Sequence, residues 1–355
     1  MMARGSMLLA LVALVCLGSS PALARLTGRP AEDAAQFVAG SSAVESSDQQ
    51  ATSALIAAAF EVKTAAHHGD ADGQIAVHAT PLVEPVKWVE PTSQPIHTDY
   101  AKAMAEATES RKMLFIYFHD PRMTAARKAF ETHSLGALEI REKLKRYVIL
   151  ELPTTATVKM GGKDVKLLEH PSFAEMLGRS GVAIIDLAHV RAKYYGHVVS
   201  TFPFTPGKYY RKEALSLILD LPPGTLTQRT MIYAVRIHPE RPASTQGVFH
   251  MALADEAQAH AHHQASIQTQ GHHAWDVRFH RINSKLPGNV LAQEVVAESW
   301  PNESLVEACV ECVNSWRQSP GHWDAVRSRH PLFGFDIKRG RNGIWYATGI
   351  FGRRH

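Results

Sequence analysis

From Ser304 to Pro320 the sequence leaves the backbone little choice. Ser304 with Glu307 three positions on is a capping box, in which hydroxyl and carboxylate each satisfy an orphan backbone donor. Leu305, Cys309, Cys312 and Trp316 follow at spacings of four, three and four, the period of one buried helical face. Pro320 cannot continue a helix, and the residue before a proline is pushed out of the helical region. A helix is therefore predicted over residues 304–318. Gly321 then permits a tight reversal that returns His322. Upstream, residues 293–298 predict a strand that ends in the carboxylate of Glu298. Strand, helix and turn together are expected to set Glu298 beside His322.

The residues that follow this pattern resemble a known family. Ala297-Glu298-Ser299, then Asn314-Ser315-Trp316-Arg317-Gln318-Ser319-Pro320-Gly321-His322, are similar to the bacterial branch of the CAP (SCP-like) superfamily. That branch carries Gly-Glu-Asn, a helix ending in Trp, and Ser-Pro-Gly-His; here Ala297 and Ser299 replace the Gly and the Asn. Residues 333–338 and 344–351 alternate as two strands around Arg339-Gly340-Arg341-Asn342-Gly343, and Asn-Gly is a strong hairpin signal. Trp345-Tyr346-Ala347-Thr348 and Phe351-Gly352 resemble the family's closing strand, so the resemblance spans residues 248–352. It implies a small α/β/α sandwich with an antiparallel sheet over residues 248–355, and a cleft lined by two histidines and acidic residues.

Carried over by motif, the cleft residues are Glu298, His322 and His272, with His273 adjacent as the alternative. The family's second acid has no counterpart; its place falls near Ser319. Two imidazoles and a carboxylate either hold a divalent metal such as zinc with a coordination position open, do acid–base work, or brace the fold by bonding one another. Ser319 lacks the oriented base and oxyanion donors of a hydrolase nucleophile.

Residues 1–24 carry an early Arg, an apolar run over residues 7–18 and Ala22-Leu23-Ala24, which predicts a secretory signal peptide and an extracytoplasmic mature chain, periplasmic or secreted. Val15 is bulky where a lipoprotein signal before Cys16 wants a small residue. No other apolar run reaches about eighteen residues. Cys309 and Cys312 are the cysteines left after cleavage, so stability must come from cores and not from a disulfide framework. At 355 residues and 45% hydrophobic content, two domains are the expectation, and a net charge of +4 gives no argument for nucleic acid.

Residues 25–87, rich in Ala, Ser, His and Asp, read as a flexible tether. From 88 to 223 the elements run helix (99–111), strand (113–118), helix (122–145), strand (147–152), short helix (172–177), strands (182–187 and 194–200) and a closing helix (212–219). This order resembles the thioredoxin-like fold. The turn after the first strand reads His119-Asp120-Pro121-Arg122, without sulfur, and Ser180-Gly181 stands where the family places a cis-proline. Thiol–disulfide exchange by this domain is excluded, because the attacking species is a thiolate. His119 and Asp120 form either a repurposed polar site or a helix cap ahead of Pro121. Residues 224–247 are expected to connect the two domains, with a strand over 230–237.

Residues 249–270 predict a helix whose His260, His262 and His263 read as a solvated face, the alternative being a metal held by His260 and His263 one turn apart, and Trp275, Phe279 and Ile282 fall at core spacing in the next. Cys309 and Cys312 have the spacing of a redox pair but read as two small hydrophobes on a core face. From residue 317 to 355 eight Lys or Arg face two acids, a basic patch suited to an anionic polymer or a membrane surface. The sequence thus predicts an α/β protein of two domains, acting as an envelope binding module for a ligand or protein, without catalysis. A metal-dependent hydrolase of envelope peptide or glycan, and a thiol-redox partner using Cys309 and Cys312, are the alternatives.

Overall fold

The computed structural model describes residues 95–160 and 163–354. The expected signal peptide and tether lie outside the described residues. Among those described, no helix is long and apolar enough to cross a membrane.

The protein is α/β, built on two sheets. The first has the order β1 (Ile96–His97), β3 (Tyr147–Pro153), β2 (Met113–His119), β6 (Gly181–Ile185) and β7 (Val198–Pro203). β1 and β2 run parallel to β3, while β6 is antiparallel to β2 and β7. Strand alternation divides β2 between two cores. Leu114, Ile116 and Phe118 meet Ala103 and Ala107 of helix α1 (Tyr100–Ser110) and Phe173 of a 3-10 turn (Pro171–Met176). Phe115 and Tyr117 face the other way, toward α2 (Ala125–Ala129), the wider turn at Phe130–Leu135, α3 (Leu138–Leu144) and α4 (Lys212–Leu219). A short antiparallel pair, β4 (Thr157–Met160) and β5 (Lys163–Lys166), lies between β3 and β6 in the chain.

The second sheet has the order β8 (Val248–Phe249), β10 (Leu332–Arg339), β11 (Trp345–Arg354) and β9 (Val290–Glu298), antiparallel except for the β8–β10 pair. Helices α6 (Met251–Ile267) and α7 (Trp275–Asn283) cover one face. Helix α8 (Leu305–Gln318) covers the other, followed by α9 (Pro320–Arg327). α6 lies so close to β10 that a Cβ on Gly334 would come 2.3 Å from the backbone nitrogen of Ala254. The predicted α8 forms with its capping box, Ser304 N–H donating to Glu307 Oε2 at 3.1 Å, and Leu305, Cys309, Cys312 and Trp316 are all buried. The β10–β11 hairpin closes at Gly343, whose φ of 81° requires the freedom of glycine.

Four expectations are corrected. Residues 230–237 are not a strand but part of helix α5 (Leu226–Ile237), opened by a capping box in which Thr225 N–H donates to Gln228 Oε1 at 3.0 Å. Every residue from 228 to 235 is buried, so the helix shows no polar stripe and its apolar run looks like a buried strand. α5 packs on β7, β10 and α8, and one continuous apolar core runs from Phe115 and Phe202 of the first sheet to Phe335 and Phe351 of the second. Arg229, fully buried, ties this together: its Nε donates to Ser200 Oγ at 2.9 Å, and its Nη1 to the carbonyls of Leu221 and Pro222.

Nor does Pro320 open a tight reversal. It is the first residue of α9, where a missing N–H costs nothing and the fixed φ suits a helix start. Gly321 lies in this first turn without a positive φ. Asp120, finally, caps no helix: Thr124 caps α2, while Asp120 Oδ1 accepts from Arg122 N–H at 2.9 Å. The strand expected over 194–200 is also displaced, with residues 194–197 in the turn that precedes β7.

Candidate functional site

The site forms where β9 passes beneath α6 and the loop that leads into α7. Along β9, Val295 and Ala297 enter the core under α8, so Glu294 and Glu298 point to the opposite face. Glu294 is buried there and bonded on both oxygens. Arg278 of α7 makes a bidentate pair with it, Nη1 donating to Oε1 at 3.1 Å and Nη2 to Oε2. His272 Nδ1 lies 3.0 Å from Oε1, and His260 Nδ1 lies 3.4 Å from Oε2. His260 also meets Thr348 Oγ1 of β11 at 3.2 Å, and Thr348 accepts from Gln264 Nε2 at 3.0 Å. Gln264 Oε1 in turn accepts from Gly271 N–H at 3.1 Å, which anchors the loop that carries His272.

His322, in the first turn of α9, completes the arrangement. Its Nε2 lies 3.4 Å from Nε2 of His272, with ring centroids 5.6 Å apart. The His272 side chain is 43% exposed, so the pair meets solvent while everything behind it is buried.

The electrostatics follow from this burial. Burial alone would raise the Glu294 carboxyl, but hydrogen bonds from His272 and Arg278 and the nearby charges outweigh it and leave the group below its ordinary range. Burial pushes His260 down to about 4 despite the facing carboxylate, and it also lowers His322, helped by His272. At neutral pH both His260 and His322 are therefore neutral rings.

Of the sequence-predicted residues, His272 and His322 come together and Glu298 does not join them. Glu298 is exposed at the end of β9, opposite Tyr346, with no hydrogen bond or ion pair to either ring, and partial desolvation of its carboxyl raises its pKa. The carboxylate beside the imidazoles is Glu294, four residues earlier on the same face. His273 turns away, its Nε2 donating to the carbonyl of Thr269 at 3.2 Å. His260 is buried and belongs to the network, contrary to the solvated face expected of it, whereas His262 and His263 are exposed. Glu294 and His260 carried signals of their own. Glu294 is the lone charge in the apolar run from Val290 to Ala297, and His260 continues the Leu253, Ala257 core spacing.

Among the described residues, no group of three or more His, Cys, Asp and Glu is placed to hold a metal ion. The set His272, Glu298 and His322 is thus not a three-donor site, because Glu298 stands apart. The two Nε2 atoms alone do fit a shared ion. Two donors about 2.0–2.1 Å from a tetrahedral zinc lie roughly 3.3 Å from each other. Metal-ligating histidines are also held at the second ring nitrogen by a carboxylate, as Glu294 holds His272.

No family model matches the chain, and no curated protein does. Among solved structures, an outer surface protein from Borrelia burgdorferi is similar to it at 20% identity and a TM-score of 0.26, over 31% of this chain and 78% of that one. A likeness of that size carries no argument about fold or function.

The other sequence candidates separate from the site. Cys309 and Cys312 are free, fully buried thiols whose pKa burial pushes well up, so neither supplies a thiolate. The C-terminal cations divide between the two ends of the β10–β11 hairpin. Lys338, Arg339 and Arg341 lie at the turn, and Arg353 and Arg354 lie at the far end of β11, about 27 Å away at strand rise. Arg317 and Arg327 are paired with Glu240 and Asp324. These seven do not form one basic patch.

Proposed function

We propose that this chain is an exported protein whose residues 248–355 form a CAP-like binding module, with its ligand seated over the His272–His322 pair. The α/β half before it, thioredoxin-like in its order of elements and without redox cysteines, shares the module's core through α5. The observation that carries the reading is the pair itself: two imidazoles with facing Nε2 atoms 3.4 Å apart, open to solvent, of which His272 is held from behind by Glu294, itself bonded to the buried Arg278 and His260. A rigid, largely pre-formed polar seat of this kind suits recognition. Among the described residues, neither ring is hydrogen-bonded to a serine or cysteine side chain, which argues against covalent catalysis. Export rests on the sequence of residues 1–24.

The 3.4 Å separation also favours a second reading, a divalent metal held by the two histidines, with its remaining positions filled by water or by an envelope peptide or glycan. Metal content of the purified full chain, zinc titration calorimetry, and an assay on envelope peptide and glycan separate the two. Zinc bound one to one and lost in His322→Ala supports the metal seat. Turnover abolished by His322→Ala would replace the binding module with a hydrolase.

A further inference from the structure

We propose a second ligand site, in the α/β half of the protein, that takes a small molecule bearing an oxyanion, phosphate or carboxylate. A cavity of about 630 Å³ opens between the segment after β2, the start of α2, the loop before β6 and the turn after β7. Its volume is in the range of small-molecule sites. Four cations line it, Arg122, Arg127, Arg179 and Lys208, against the single carboxylate of Asp120.

The charges differ in how they are engaged. Asp120 is held by Arg122, whose Nε and Nη2 donate to its two oxygens at 3.1 and 2.9 Å. Arg127 is paired with Glu131 at 2.7 Å and donates through Nη1 to the Asp120 carbonyl at 2.8 Å. These three residues build the wall. Arg179 and Lys208, on opposite loops, form no side-chain hydrogen bond or ion pair with a described residue. They leave two positive groups on one cavity without internal counter-charge, and Arg is suited to grip an oxyanion bidentately while Lys adds a point charge.

Thr205 lines the cavity beside Lys208 in the turn and adds a polar residue to that side. This site shares no residue with the His272–His322 seat and does not rest on the function proposed for it.

The test is titration calorimetry on the full chain with inorganic phosphate and with citrate, at constant ionic strength set by chloride. Saturable one-to-one binding of either anion is expected, and the anion that binds identifies the source of the oxyanion. In Arg179→Ala/Lys208→Ala the affinity should fall about 10- to 100-fold, since two charge-assisted bonds are lost. His322→Ala should bind as the parent does. Both altered residues sit on loops away from the core, and an unchanged thermal melt establishes that the double variant is folded. Absence of saturable binding for both anions, or equal affinity in the double variant, would overturn the site.

Discussion

His272 Nδ1 lies 3.0 Å from Oε1 of Glu294, so the imidazole that meets solvent is oriented by a carboxylate that does not. Glu294 holds Arg278 with the same oxygen, and this makes it the residue on which the whole seat depends.

Replacing it should therefore cost far more than replacing its neighbour on the same strand face. Glu294→Gln leaves the nearly buried Arg278 without its counter-charge and is expected to destabilise the protein by about 3 kcal/mol. Glu298→Gln, at an exposed position, should change stability by less than about 0.5 kcal/mol. Urea denaturation of both variants measures the difference, and equal losses would remove Glu294 from the centre of the network.

The contribution of His260 to stability should be lost on acidification, opposite in sign to those of Glu303 and Asp336, whose carboxyls burial raises to about 7 and about 6. The folded-state pKa of His260, about 4, lies below the ordinary value near 6.5, so the unfolded chain binds more protons between those limits. The stability contributed by this group accordingly rises with pH through that window and falls on acidification, by about 3 kcal/mol at its lower end. Burial lowers His238, His322 and His330 in the same direction. Below about pH 4.5 the lowered carboxyl of Glu294 adds a further loss. Melting curves from pH 7 to 4.5 should show the parent losing stability relative to His260→Gln; parallel curves would contradict the assignment.

The two thiols should be silent. With both side chains fully buried and their pKa raised, Cys309 and Cys312 are expected not to react with a thiol reagent in native buffer and to react fully in denaturant. Rapid native labelling, or an intramolecular disulfide under mild oxidant, would reopen a redox role for the pair.

Unfolding should be a single event, because α5 lies inside a core common to both sheets. Five of the six tryptophans fall in residues 275–345, so their fluorescence reports on the second sheet while far-UV dichroism reports on the whole. Coincident denaturant transitions are expected. Arg229→Ala, which strips the donor from Ser200, Leu221 and Pro222, should lower stability by about 3 kcal/mol and leave the transitions coincident. Two separated transitions would show independent halves.

The elements that could be read directly were those with a local cause. α8 was legible because its capping box, apolar spacing and proline stop all lie within the segment; the β10–β11 hairpin was legible from Asn342-Gly343. α5 was not, because a helix buried on every side has no polar face to reveal its period. Pro320 misled for a related reason: a proline ends one helix and starts the next with the same chemistry, and only the path of the chain beyond it tells the two apart.

For the site, the motif resemblance pointed to Glu298 of β9 and the histidines at 272 and 322, and of these the two histidines meet. Which acid it is was decided by the tertiary structure. Glu294 and Glu298 point to the same face, and nothing in strand periodicity separates them. The guanidinium of Arg278, brought over from α7, compensates the burial of one carboxylate, while the other remains at the strand's exposed end.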